Sequence, residues 1–157
     1  MDRRFEPKDP DFEVRVRDSF DRQGVMHLIG AELTLVEPGL VQIELPFRDD
    51  LTQQHGFFHA GITSTIADSA GGYAGFTLFP GGSSVLTVEY KMNLLAPADG
   101  ERLIATGRVV KPGRTLTVCQ LDVETLKDGK LTPCAHGLQT LICLHGRSDA
   151  ARPSSPR

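Results

Sequence analysis

One stretch of the chain combines polar groups that could act in catalysis with a helix that could position them. It runs from Gln53 to Ala74 and begins as a polar, glycine-containing loop that carries His55 and His59. It continues as small and apolar residues, among which Asp68 is the one carboxylate. A charge in such surroundings costs free energy unless it is paired or used. Asp68 is therefore a candidate nucleophile or general base, and His59 is a candidate for proton transfer or for orienting the loop through hydrogen bonds.

No metal site is expected from these residues. His55 and His59 are four residues apart, but they lie in a predicted loop, and no cysteine or carboxylate lies at ligand spacing from them. The three cysteines, Cys119, Cys134 and Cys143, match no zinc spacing. Cys119 and Cys143 lie in apolar, strand-like runs, so we expect buried thiols in a reducing compartment.

The element that carries Asp68 is predicted to be a long helix over residues 60–77, which Phe79-Pro80-Gly81-Gly82 would end. A helix N-terminus presents free N–H groups, so the amides of Ala60 and Gly61 could stabilise a developing negative charge. Asp68 lies about 11–12 Å further along the axis, beyond the reach of one side chain. A second, antiparallel copy of the helix would close this gap, which predicts a homodimer with two shared sites.

Small residues along the predicted helix support close packing on one side. A stripe could pack against a partner helix or a bound acyl chain; the alternative is that its glycines kink or end the helix early. The stripe consists of Gly61, Ser64, Thr65, Asp68, Gly71 or Gly72, and Gly75.

The remaining elements follow from hydrophobic periodicity and turn residues. An amphipathic helix is expected over residues 11–23, ending at Gly24. Strands are expected at 31–37, 40–47, 85–95, 103–110, 116–123 and 133–144. In 85–95, strict alternation predicts one face formed by Leu86, Val88, Tyr90, Met92 and Leu94. The four C-terminal strands are joined by short turns and are expected to be antiparallel, which gives an α+β layout with a helix on one face of the sheet.

Length and composition favour one ordinary globular domain. The chain has 157 residues and a formal net charge of -3, which gives no reason to expect nucleic-acid binding. It has no apolar run long enough to cross a membrane and no recognisable signal peptide, so we expect a cytoplasmic protein without membrane association. We expect a flexible arm over residues 1–10, one domain over 11–145 and a disordered tail over 146–157.

The segment His59-Ala60-Gly61, followed by Ala67-Asp68-Ser69, resembles the hotdog-fold acyl-CoA thioesterases of the PaaI-like (phenylacetate-pathway) family. His59 and Asp68 have the nine-residue separation of that family. The resemblance extends from about Gly24 to Leu144. The chain departs from the pattern at Ala60, where the family has the middle glycine of His-Gly-Gly, and at Gln53, where it has asparagine.

The resemblance implies a six-stranded antiparallel sheet wrapped around one long central helix, with an N-terminal helix added. It implies hydrolysis of an acyl-CoA thioester to a free carboxylic acid and CoA, in fatty acid metabolism, with no cofactor beyond the CoA of the substrate. Asp68 would attack or activate water, and the amides of Ala60 and Gly61 would polarise the thioester. Gln53, His59 and Thr87 would position groups around it, Thr87 from the Asp68 side. Family members form dimers that often pair into tetramers.

Residues outside this motif indicate where a substrate would bind. Phe57, Phe58 and the N-terminal helix suggest an apolar pocket for a medium- or long-chain aliphatic or an aryl acyl group. The turn formed by Lys111, Pro112, Gly113, Arg114 and Thr115 suits a phosphate, and the resemblance places it near the CoA nucleotide; a solvated hairpin tip is the alternative.

Two other functions are weighed against hydrolysis. A hotdog hydratase acting on acyl-CoA or acyl carrier protein pairs histidine with a carboxylate in other motifs, which this chain lacks. A non-catalytic acyl-CoA-binding module could lack a carboxylate at position 68 and would usually carry a DNA-binding appendage, for which residues 1–23 are too few and too acidic.

Overall fold

The structure, a computed structural model, describes residues 5–150 and contains one six-stranded sheet with a long helix across it. Every pair of neighbouring strands is antiparallel, as predicted. The helices are α1 (Phe12–Asp21), α2 (Gly24–Ile29) and α3 (Ala60–Phe76), and a single 3-10 turn covers Asp49–Leu51. The strands are β1 (Glu32–Glu37), β2 (Leu40–Pro46), β3 (Ser84–Leu94), β4 (Arg102–Lys111), β5 (Leu116–Lys127) and β6 (Lys130–Leu144).

The core lies between α3 and the sheet face that it covers. Alternate residues of the strands point toward the helix, and the apolar face of α3 meets them. Burying each large side chain of this kind stabilises the fold by about 1.5–3 kcal/mol. The largest fully buried apolar side chains include Phe76 and Ile66 of α3 and Ile43, Leu45, Leu103, Leu121 and Leu141 of the sheet.

The N-terminal helical region differs from the single helix predicted over 11–23. Helix α1 ends at Asp21, and Gly24 begins a second helix, α2, instead of only ending the first. Helix α2 in turn ends at Gly30, whose φ of 78° is the left-handed conformation that glycine adopts readily. The six-residue α2 is too short to show a periodic pattern in the sequence.

The last two strands are longer than predicted and meet in a tight hairpin. Asp128 and Gly129 have φ values of 50° and 73°, as the central residues of a type I′ turn require. Strand β6 therefore begins at Lys130, and Pro133 lies inside it and not at its start. The register shifts opposite Val123 and Glu124, and this irregularity accommodates a residue that cannot donate to the sheet.

Strand β3 lies at one edge of the sheet, a position that its short connection to β4 did not predict. The strand order is β1-β2-β4-β5-β6-β3, so β3 pairs with β6 and is not a neighbour of β4. A bulge at Val88, between Thr87 and Glu89, also shifts its alternation. Thr87 thus lies opposite the buried Leu141 and faces α3, whereas Leu86 lies on the other face. The prediction of one continuous apolar face from residue 86 to 94 was therefore wrong.

Two of the glycines in α3 pack against the sheet of their own chain, whereas the prediction placed them against a partner helix or a bound acyl chain. A Cβ atom on Gly71 would lie 2.0 Å from Oε1 of Gln139, and one on Gly75 would lie 2.3 Å from Cδ1 of Leu141. Both glycines therefore let α3 approach its own sheet. Gly72 has open space at this position and belongs to the outward side with Asp68. The helix continues without interruption to Phe76, so the alternative that these glycines end it early is wrong.

Parts of the two terminal segments make defined contacts. Phe5 packs against the core, and Asp9 forms an ion pair with Arg15 at 3.2 Å. At the other end, Asp149 forms an ion pair with Arg22 at 2.8 Å. Residues within 5–10 and 147–150 therefore contact the rest of the chain, and residues 1–4 and 151–157, which belong to the predicted arm and tail, lie outside the described range. No helix within residues 5–150 has the length and apolar character needed to cross a membrane.

Candidate active site

The N-terminus of α3 is capped by the side chain of His59. His59 precedes the helix in an extended conformation, with φ of −64° and ψ of 137°. Its Nδ1 accepts a hydrogen bond of 2.8 Å from the N–H of Gly61. Nδ1 is therefore unprotonated, and the Gly61 amide is already occupied. The N–H of Ala60 has no acceptor within residues 5–150, so it is the amide of this pair that remains available to a ligand.

The loop before the helix is held by its own hydrogen bonds. Oε1 of Gln53 accepts from the backbone N–H of His55, and the N–H of Gln53 donates to the carbonyl oxygen of Phe57 at 2.9 Å. Phe58 is buried and packs edge-on against Phe47, with 5.3 Å between the ring centroids. Gln53 thus shapes the loop, and Phe58 anchors it to the core.

A cavity of about 530 Å³ lies beside the Ala60 end of the helix. Its lining consists of Gln53, His55, Phe57, Phe58, Ala60, Thr63, Leu94, Leu95, Ala96, Pro97, Ala98 and Cys134.

Burial raises the pKa of Cys134 to about 11 and that of Cys119 to about 12. These side chains therefore remain neutral thiols near neutral pH, and the prediction that Cys119 and Cys143 are buried is confirmed. Within residues 5–150, no group of three or more histidine, cysteine or acidic side chains is arranged to hold a metal ion.

The carboxylate of Asp68 is fixed by two donors on the same oxygen. The hydroxyl of Thr87 donates to Oδ1 at 2.7 Å, and Nε2 of Gln139 donates to Oδ1 at 2.6 Å. Nε2 of Gln139 also lies 3.0 Å from the backbone oxygen of Asp68 and 3.0 Å from Oγ1 of Thr87. Oδ2 of Asp68 has no hydrogen-bond donor among the described residues. These two donors fix the orientation of the carboxylate and leave Oδ2 free for chemistry.

Thr87 reaches Asp68 from the side that the resemblance implied, but Gln139 could not be recognised from the sequence. It is 1% exposed and points inward from β6, where its neighbours on that face are apolar or glycine. A polar residue at an inward position of a strand is the only sequence signal, and it does not name a partner. The contact also requires Gly71, because any side chain there would overlap Oε1 of Gln139.

One chain does not bring Ala60 and Asp68 together. They are eight residues apart on an uninterrupted helix, which corresponds to about 12 Å along its axis. They also line different cavities. Asp68 and Thr87 border a second cavity of about 440 Å³, to which neither Ala60 nor Gln53 contributes. Its other lining residues are Ser19, Arg22, Gln23, Ser69, Gly72, Tyr73, Val85, Leu86 and Asp149.

The turn at residues 111–115 lies between β4 and β5. Its Gly113 N–H donates to Oγ1 of Thr117 at 3.2 Å, and the carbonyl oxygen of Arg114 lies 2.7 Å from Nε2 of His145. The backbone oxygen of Thr115 accepts from Cys143 at 2.9 Å. Lys111 and Arg114 are exposed. Because the Gly113 amide is engaged, a phosphate here would be met by these two side chains and not by that amide.

Comparison with known proteins agrees with this architecture. Residues 55–132 match the Thioesterase superfamily. A thioesterase family protein from Silicibacter pomeroyi is 49% identical; the match covers 86% of this chain and 99% of that one, with a TM-score of 0.85. Human acyl-coenzyme A thioesterase 13 is 31% identical over 103 residues, which are 64% of this chain and 73% of that protein. The Escherichia coli PaaI protein from the phenylacetic acid degradation operon shares the fold, with a TM-score of 0.76 at 15% identity over 87% of this chain and 96% of its own.

The six-stranded antiparallel sheet wrapped around α3 is therefore the hotdog fold. The chain belongs to the Thioesterase superfamily and is a thioester hydrolase.

Proposed function

We propose that the protein hydrolyses acyl-CoA thioesters to a carboxylic acid and CoA at sites shared between two subunits. The observation that carries this proposal is the Asp68 carboxylate, which is held by Thr87 and Gln139 on Oδ1 with Oδ2 free at a cavity. The name of the human relative, an acyl-coenzyme A thioesterase, supports the substrate class.

The proposed chemistry divides between the two ends of α3. Oδ2 of Asp68 either attacks the thioester carbon, forming an anhydride that water then hydrolyses, or removes a proton from the water that attacks. In both cases negative charge develops on the carbonyl oxygen, and the CoA thiolate leaves and takes up a proton. The free N–H of Ala60, at the positive end of the helix dipole, stabilises that oxygen. His59 supports this geometry by fixing the first turn of the helix.

A second subunit is needed to complete the site. Ala60 and Asp68 are too far apart to act together in one chain. If two α3 helices packed antiparallel across a two-fold axis, Ala60 of each subunit would lie near Asp68 of the other, which would form two sites. The outward side of α3 is suited to this approach because it carries Gly61, Thr65, Asp68 and Gly72.

The edge strand β3 is the surface through which we propose that the two subunits meet. It has 11 residues and pairs on one side only. The large side chains of Leu86, Val88, Tyr90 and Leu94 are each about half exposed. A long, apolar, unpaired edge promotes association unless it is covered. Pairing of β3 with a second copy would cover it and continue the sheet. Further pairing of dimers into a tetramer belongs to the same proposal. The mass measured by size-exclusion chromatography with light scattering distinguishes the two, and a monomer would refute the shared site.

The acyl group and the nucleotide are assigned to different regions. The cavity beside Asp68 has room for an aryl or a medium- to long-chain aliphatic group, since a cavity of about 150 Å³ already holds benzene. The end of α1 and the residues after it supply Ser19, Arg22 and Gln23 to this cavity, whereas Phe57 and Phe58 line the cavity beside Ala60. Lys111 and Arg114 would meet the phosphates of CoA. Three free cysteines suit a reducing compartment, and we propose a cytoplasmic role in fatty acid metabolism.

The test is release of the CoA thiol from acyl-CoA esters that span aliphatic chain lengths and aryl groups. We expect Asp68→Asn to lower kcat by on the order of 10³-fold or more. Asp50→Asn is the matched control, because Asp50 forms only an exposed ion pair with Arg48 and its loss should leave the rate unchanged. The proposal is wrong if the wild-type protein turns over no ester or if Asp68→Asn is equally fast. Binding of acyl-CoA without turnover would indicate a binding module.

A further inference from the structure

The cavity beside Asp68 has a polar wall that the hydrolytic step does not use. The wall is formed where the α1–α2 junction meets the middle of α3, by Ser19, Gln23, Ser69 and Tyr73. Three of these residues are at least nine-tenths buried: Ser19 is 9%, Ser69 8% and Tyr73 3% exposed. Burial is the main cause that raises the pKa of Tyr73, so its phenol stays protonated and can act as a hydrogen-bonding group.

The polar wall is organised as one directed chain of hydrogen bonds. The hydroxyl of Ser69 donates to Oε1 of Gln23 at 3.1 Å, and Nε2 of Gln23 donates to the phenolic oxygen of Tyr73 at 2.8 Å. The phenol of Tyr73 in turn donates to Oγ of Ser19 at 3.2 Å. A carboxamide has two N–H groups and a serine has one O–H. Within residues 5–150, one N–H of Gln23 and the O–H of Ser19 have no acceptor, so the wall offers two donors to a ligand oxygen.

The charges at this cavity favour a neutral ligand oxygen over a carboxylate. Arg22 is the only cation in its lining, and its guanidinium is paired with the carboxylate of Asp149 at 2.8 Å. The second oxygen of Asp149 accepts from Ser84 at 2.9 Å. A negatively charged acyl group would therefore meet Asp149 and the nearby Asp68 with no free cation to balance it.

The distance between the reacting carboxylate and the polar wall limits the length of the acyl group. Tyr73 lies five residues beyond Asp68, or about 7.5 Å along the helix axis. Gly72, one turn beyond Asp68, leaves the intervening space open, because a Cβ atom there would have no neighbour within 4 Å. An extended six-carbon acyl chain places an oxygen on its last carbon about 7–8 Å from the thioester carbon.

We propose that Gln23 and Ser19, held in place by the phenol of Tyr73, are specificity-determining residues that select acyl-CoA esters with a neutral hydroxyl or carbonyl oxygen about six bonds from the thioester carbon. The inference rests on the proposed acyl-CoA hydrolysis. In this proposal, residues near the α1–α2 junction, which lie outside the catalytic motif, contact the far end of the acyl group directly.

The experiment compares kcat/KM of the full-length protein for hexanoyl-CoA, 6-hydroxyhexanoyl-CoA and adipoyl-CoA. These three esters have the same chain length and end in a methyl group, a hydroxyl group and a carboxylate. We expect the hydroxylated ester to be favoured over hexanoyl-CoA by about tenfold, the value of one good hydrogen bond. Adipoyl-CoA should be the slowest.

Four variants separate recognition from folding. Tyr73→Phe removes the hydroxyl, Gln23→Leu removes the donors, and each should bring the ratio for hydroxylated over plain hexanoyl-CoA close to one. Gln42→Leu is the matched control, because Gln42 donates to Thr106 on the opposite face of the sheet and its loss should leave the ratio unchanged. Gly72→Val should lower kcat/KM for all three esters at least about tenfold relative to acetyl-CoA, which is too short to reach the wall. Valine does not weaken a helix relative to glycine, so this variant should still fold.

The outcomes distinguish this inference from the proposed function. If hexanoyl-CoA or adipoyl-CoA is hydrolysed at least as fast as the hydroxylated ester, the polar wall does not select a neutral oxygen, although hydrolysis stands. If Tyr73→Phe and Gln23→Leu both keep the wild-type ratio, the selecting residues are elsewhere. If none of the esters releases CoA, the proposed function fails and this inference fails with it.

Discussion

The free amide of Ala60 can be removed with little change to the fold. Ala60 is the first residue of α3, a position where proline is favoured, and Ala60→Pro deletes its N–H. The preceding residue, His59, already has the extended conformation that a proline requires before it. Because the Ala60 amide has no acceptor within residues 5–150, no hydrogen bond of the fold is lost. We expect the free energy of unfolding to stay within about 0.5 kcal/mol of wild type.

The same change should strongly reduce catalysis. Losing one oxyanion donor lowers kcat by about 10²–10³, which corresponds to about 2.7–4 kcal/mol of transition-state stabilisation. The assay is CoA thiol release under saturating acyl-CoA. Ala60→Gly keeps the amide and serves as the control, with kcat expected within a few-fold of wild type. If Ala60→Pro folds normally and retains the wild-type rate, Ala60 is not the oxyanion donor.

Mixed dimers test whether the site is shared. Subunits carrying Ala60→Pro and Asp68→Asn can be co-expressed with different affinity tags, and the mixed dimer can be isolated. It would contain one site with both intact groups and one site with neither, so we expect about half of the wild-type activity per dimer. If each site lay within one chain, both sites of the mixed dimer would be defective. Activity no higher than that of the single variants would refute the shared site.

Three further predictions concern the groups that support the site and the fold. Thr87→Val removes one donor to the Asp68 carboxylate and should lower kcat about 10–100-fold with little change in KM. Thr87→Ser keeps the hydroxyl and should retain most of the wild-type rate. Arg15→Leu should lower the free energy of unfolding by about 2–3 kcal/mol in urea titrations, because its guanidinium donates to the carbonyl oxygens of Phe76, Phe79 and Pro80 at and just after the end of α3. Arg17→Leu breaks only an exposed ion pair and should change the free energy of unfolding by less than about 0.5 kcal/mol. Burial raises the pKa of Cys119 from 9.0 to about 12. Between these two pH values the unfolded chain loses a proton that the folded chain keeps. This thiol should therefore lower the free energy of unfolding by about 1.4 kcal/mol for each unit that the pH rises.

Each of these predictions has a clear contrary result. Equal rates for Thr87→Val and Thr87→Ser would show that the hydroxyl does not act on the carboxylate. Equal stability of the two arginine variants would show that the guanidinium contacts of Arg15 are not stabilising. For the thiol, Cys119→Ala should make the alkaline decline in stability shallower, and an unchanged slope would place the titrating group elsewhere.

The elements and the position of the candidate site on α3 could be predicted because they depend on local information. Alternating apolar residues and turn signals predicted all six strands, and the long apolar run before Phe79-Pro80-Gly81 predicted α3. The separation between the Ala60 amide and Asp68 predicted that one helix cannot place both at the same reacting group, since helix rise is fixed at about 1.5 Å per residue.

Only the tertiary structure determined which groups meet at Asp68. The pairing of β3 with β6 results from contacts between segments about 50 residues apart, and these leave no periodic signal in either strand. That pairing, with the bulge at Val88, turns Thr87 toward the helix and sets Gln139 beside the carboxylate. The polar wall at Tyr73 likewise depends on where the α1–α2 junction packs. Periodicity within a segment predicts which side of it is buried, but its partner is decided by long-range packing.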